Sequence, residues 1–183
     1  PAQSATGLRG RMVDAVTRRP VKEFSVTLAR VERDDARMKW HEPIVRKFAS
    51  DTGRFTWDLA AGAWQGYVQA PGYQQFNLAE QVFSANKPTR ELVMPLLRGL
   101  ELRGRVFDQR TGAGLPDARI SFRKAGVGNG NSQTLRPAQP QADGSFALDG
   151  VPAGDIVLQV GAEGYAHRET ELTVDETTPP VEI

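Results

Sequence analysis

The chain has 183 residues, 39% hydrophobic and 25% charged, with a formal net charge of +1. That balance suits a globular protein and excludes a bulk electrostatic pull toward nucleic acid or membrane. There is no cysteine, so disulfides, thiol catalysis and thiolate metal ligands are excluded together, and no apolar run approaches the ~20 residues that a bilayer crossing needs.

The first residues, Pro1 to Gly7, read as a polar linker without the charged and apolar regions of a signal peptide, so the chain is expected to be part of a longer or processed polypeptide. A first strand comes next in LRGRMVDAVT, Leu8 to Thr17. Period-two alternation of Phe24, Val26 and Leu28 marks a second strand, because alternate side chains share one face. A charged insertion, Asp34 to Lys47, carries Trp40. The Asp51-Thr52-Gly53 turn then leads into a strand with Phe55 and Trp57. After the turn at Ala61-Gly62 a further strand holds Trp64 and Val68 and runs toward Gly72-Tyr73. A last strand is expected over Thr89 to Leu97, running almost without a linker into the second half of the chain, so a fairly stiff connection is expected.

The second half repeats the pattern of the first. LRGRVFDQRT, Leu102 to Thr111, matches Leu8 to Thr17 at an offset of 94, with Leu, Arg, Gly, Arg, Asp and Thr identical. Val26 falls on Ile120 and Leu28 on Phe122. Asp51 to Tyr73 matches Ala142 to Tyr165, with Gly150 as one extra residue in the second copy. Two blocks in the same order make the chain a duplication. Short strands, Gly and Pro turns and no sustained helical period predict an all-β protein, with tandem sandwiches at residues 7–98 and 99–183. Residues 1–98 carry net +5 and residues 99–183 net −4.

The second copy carries Gly104-Arg105-Val106-Phe107-Asp108, a turn and strand from Thr111 to Ala118, the Asp143 to Phe146 hairpin, Val151 to Gly154, and Gly164-Tyr165. In these residues it resembles the carboxypeptidase regulatory-like domain, a transthyretin-like (prealbumin-like, Ig-like) β-sandwich. The first copy resembles it more distantly, through Gly10, Asp14, Asp51, Gly53, Phe55 and Gly72-Tyr73. The resemblance implies an accessory module of an exported, periplasmic or cell-surface bacterial protein, with no cofactor and no catalytic residue. Its shared residues set turns and fill a core, with the tyrosine expected at a corner.

Chemistry-bearing patterns are sparse. His41 and His167 sit at non-equivalent places, and no metal-ligand spacing surrounds either. No G-x-S-x-G is present, and Gly126 to Gly130 opens no helix, so the segment Gly126 to Gln141 reads as a long loop. Lys22 and Lys124 lie near early strands, but no final strand offers an asparagine for a cross-link. Trp57 and Trp64 fall on Leu148 and Ile156 of the other copy, which predicts core positions; Val68, Phe146 and Val160 join them. Trp40 has no such counterpart. With Arg37, Lys39 and Arg46 it is expected either to line an exposed patch for another domain, another protein or a glycan, or to close the sandwich edge as a flap.

Overall fold

The computed structural model describes residues 7–34, 37–84, 91–126 and 138–183. Most of the segment read as a long loop, 127–137, lies outside them, as do Thr89 and Arg90 of the expected last strand of the first copy. All regular elements among the described residues are strands. The chain divides into two compact units, Pro1–Pro71 with Gln75–Leu97, and Gly72–Gln74 with Arg98–Ile183.

Unit one contains β1 (Gly7–Asp14), β2 (Glu23–Asp34), β3 (Arg37–Trp40), β4 (Ile44–Ala49), β5 (Arg54–Asp58), β6 (Gly62–Gln69), β7 (Phe76–Phe83) and β8 (Leu92–Leu96). One sheet has the order β5–β1–β8; the other runs β3–β2–β6–β7, with β4 also on β2. Strict alternation in Arg54–Asp58 buries Phe55 and Trp57 and exposes their neighbours. Their rings meet Phe24 and Phe48 from the facing sheet: Phe24 lies 5.4 Å from Phe55, Phe48 4.7 Å from Phe55 and 6.1 Å from Trp57. Aromatic edges and faces thus close the layer between the sheets.

Unit two contains β9 (Leu100–Arg105), β10 (Arg119–Lys124), β11 (Ser145–Val151), β12 (Gly154–Gly161), β13 (Arg168–Val174) and β14 (Val181–Glu182). Its sheets are β11–β9–β14 and β10–β12–β13. Leu102, Phe146 and Leu148 from the first meet Ile120, Phe122, Ile156, Leu158 and Val160 from the second in one core.

The register repeats as well as the order. Gly10 pairs with Phe55 and Gly104 with Phe146. Val26 pairs with Val68 and Ile120 with Val160. First and last strands pair in parallel in both units, Gly10 with Leu92 and Gly104 with Val181. The extra Gly150 is absorbed where the β11–β9 register shifts between Leu148 and Val151, and its φ of 73° suits a glycine bulge.

Repeated motif residues acquire physical roles here. A Cβ on Gly10 would stand 2.5 Å from the Phe55 ring, and one on Gly104 2.5 Å from the Phe146 ring. Each glycine is the floor on which its cross-strand phenylalanine lies, a packing that fills the space of the missing side chain. Asp14 accepts the amides of Val16 and Thr17; Asp108 accepts those of Arg110 and Thr111. Both aspartates therefore cap the turn after the first strand.

Tyr165 is not packed into a corner: its ring is 47% exposed, and its hydroxyl donates to Asp108 at 2.8 Å. That bond, together with the Thr111 and Arg110 amides, holds the Asp108 carboxyl down at about 2. Since an unfolded aspartate titrates near pH 4, this contribution to stability is complete above about pH 4 and is lost as the pH falls toward 2. Tyr165→Phe removes the largest cause. Its Asp108 resonance in a carboxyl NMR titration is expected to move toward the ordinary aspartate range; an unmoved midpoint would show that the backbone amides alone set it.

Candidate interaction edge

β2 is twelve residues long, enough for two short strands to share one of its sides. β3 pairs with its end, Val31 opposite Trp40; β4 pairs with its beginning, Leu28 opposite Ile44. The edge advances four residues from Trp40 to Ile44 while β2 advances three. One extra residue is thus taken up around His41 to Pro43, and the alternation changes phase there.

That phase change sorts the side chains. Residues directly opposite in an antiparallel pair share a face. Val26 and Leu28 point into the core, so their partners Arg46 and Ile44 stand on the core side of the edge, and so do Lys39, opposite Glu32, and Arg37, opposite Asp34. Trp40, opposite Val31, and Met38, opposite Arg33, stand on the outer face with Val45 and Lys47. The structure therefore places Arg37, Lys39 and Arg46 on one face of the edge, Arg46 at the opposite end of β2 from the other two, and places Trp40 on the other face.

Trp40 is 51% exposed. The aromatic that closes the core side of the edge is Phe48, stacked 5.5 Å from Phe24, with the Arg46 guanidinium 5.2 Å from its ring centre. Trp40 ends a row of side chains on the outer face, Val82–Ala63–Val31–Trp40, across β7, β6, β2 and β3. Met38, Val45 and Val82 are exposed on this same face, and sequence reasoning missed them. The alternation of Arg37 and Lys39 with Met38 and Trp40 is a two-faced strand, and it was the available signal.

The matching face of unit two is different in kind. Gln159 donates to Glu169 at 2.7 Å, and Arg123 lies 3.3 Å from the same carboxylate. In the row equivalent to Val31–Ala63–Val82, Asp155 stands opposite Thr173 and accepts its hydroxyl. On the unit-one edge, Arg37, Lys39, Arg46 and Lys47 make no ion pair among the described residues, whereas nearby Arg33 is held by Glu80 at 2.9 Å.

Each histidine stands beside one glutamate, His41 3.1 Å from Glu32 and His167 3.8 Å from Glu169. Among the described residues no group of three or more His, Asp or Glu side chains is arranged to hold a metal. No helix among them is long and apolar enough to cross a membrane.

The sequence model of the carboxypeptidase regulatory-like domain matches residues 101–183, all within unit two. No curated protein matches the chain significantly. Distantly similar solved structures include a streptococcal ancillary pilin, at 14% identity and TM-score 0.41, covering 100% of this chain and 62% of that one. The Bacillus anthracis TIE protein stands at 14% and 0.38, covering 96% and 33%. The shaft pilin SpaA of Lactobacillus rhamnosus GG stands at 12% and 0.37, covering 96% and 95%. The chain thus spans less than two thirds of the first two.

Proposed function

We propose that the chain is a tandem of two copies of one domain, residues 7–98 and 99–183, serving as a non-catalytic accessory module of an exported or cell-surface bacterial protein. Its work in this reading is to space neighbouring domains and to contact other proteins. The observation that carries the spacer role is the parallel pairing of first and last strands in each unit. A chain pulled by its ends loads such a pair along the strands, so the hydrogen bonds resist together instead of opening one by one. The family match over residues 101–183 supports an accessory domain.

Stretching the full chain from its two ends in a force-spectroscopy experiment tests this. Two discrete unfolding events are expected, each releasing about 30 nm of chain. Unit one is expected to yield at the higher force, because β1 and β8 share five register pairs and β9 and β14 two. Smooth extension without discrete events would sink the spacer role. The half-exposed Trp40 ring favours a second reading, a glycan platform. A sugar titration that shifts tryptophan emission would support it, and Trp57 and Trp64, both buried, would not contribute.

A further inference from the structure

We infer that the β3–β4 edge of unit one is completed by an extended acidic segment of another polypeptide, added as a further strand. This rests on the reading of unit one as a protein-contact module and names the chemistry of its partner. Only β2 pairs with β3 and with β4 among the described strands, so the far side of each presents backbone donors and acceptors to an incoming strand. An open edge invites a copy of itself, and edge cations are one way proteins prevent that. Here Arg37, Lys39, Arg46 and Lys47 repel an identical edge; Glu42 lies between them in sequence, and Glu32 of β2 stands opposite Lys39 and attracts it. The same charges admit an acidic strand and steer it in.

The phase of the edge states what that strand must look like. Side chains of an added strand alternate between the two faces of the sheet. On the core side they meet Arg37, Lys39 and Arg46, with Ile44 among them; on the outer face they meet Met38, Trp40 and Val45, with Lys47 at the far end. The complementary segment alternates acidic with apolar residues. A segment of the same composition with its acids in one block has no such fit. An acidic glycan offers charge but neither backbone pairing nor alternation.

The experiment measures binding of fluorescein-labelled peptides to the full chain by anisotropy: one alternates Glu with Val, one has the same residues in blocks, and two carry N-methyl groups on alternate amides in either phase. The alternating peptide is expected to bind saturably, the block peptide about tenfold more weakly, and one of the two N-methylated peptides hardly at all. Arg37→Glu, Lys39→Glu and Arg46→Glu together are expected to weaken the alternating peptide by about tenfold or more, with the melting temperature followed as a check on folding. Equal binding of both N-methylated peptides overturns strand addition yet leaves unit one a contact surface. Polygalacturonate binding that the triple variant abolishes, without peptide binding, overturns it in favour of an acidic glycan. If a folded triple variant binds every probe as the native chain does, the contact-surface reading falls as well.

Discussion

Truncating Trp64 to Ala is expected to lower the stability of unit one by about 3–5 kcal/mol, the range for deleting a large buried aromatic side chain. Trp64 is 8% exposed, on the core face of β6 opposite Arg30. Its indole N–H donates to the Ala60 carbonyl at 2.9 Å, so truncation removes packing and also leaves a carbonyl at the strand entry without its donor. Calorimetry of the full chain should show the unit-one transition falling while that of unit two stays in place. Trp64→Phe keeps much of the ring and loses the hydrogen bond, and should cost clearly less. A loss below about 1 kcal/mol for the alanine variant would contradict its place in the core.

Trp64 also shows what a pattern shared by the two halves of a sequence makes legible. Opposite Arg30 in unit one stands Trp64; opposite Lys124, 94 residues later, stands Ile156. A residue that is aromatic in one half and aliphatic at the matching position of the other is read as core without any coordinates. The single extra residue Gly150 was legible in the same way, as an insertion, though not as a bulge, because the alignment carries no φ angle.

The edge was legible only in part. The insertion from Asp34 to Lys47 stood out by its charge and by Trp40, but its pairing to β2 depends on where one extra residue is absorbed. No local pattern in His41 to Pro43 fixes that, and the phase change it causes decides which side chains share a face. Hence the three cations and Trp40, grouped together by sequence, divide between two faces. Phe48, ordinary in the sequence, closes the core side because the same phase points it at Phe24.

Gly144→Ala is expected to destabilise unit two on the order of 3 kcal/mol, the sum of a left-handed backbone strain and a backbone clash. Gly144 has φ +82°, and a Cβ there would lie 2.0 Å from the Val106 carbonyl oxygen. The approach is close because the Gly144 carbonyl accepts the Val106 amide at 2.9 Å, tying the hairpin tip to the end of the first strand. Unit one repeats the arrangement: Gly53 has φ +69°, its carbonyl accepts the Met12 amide at 2.9 Å, and its Cβ would meet the Met12 carbonyl at 2.4 Å. Gly164 separates the two causes. Its φ is +79°, but nothing lies within 4 Å of a Cβ there, so Gly164→Ala carries the dihedral strain alone, about 1 kcal/mol. Denaturant unfolding of both variants should therefore rank Gly144→Ala well below Gly164→Ala in unit-two stability. Equal losses would mean that the hairpin tip can move off Val106 at little cost, and that the glycine is required there for its φ angle alone.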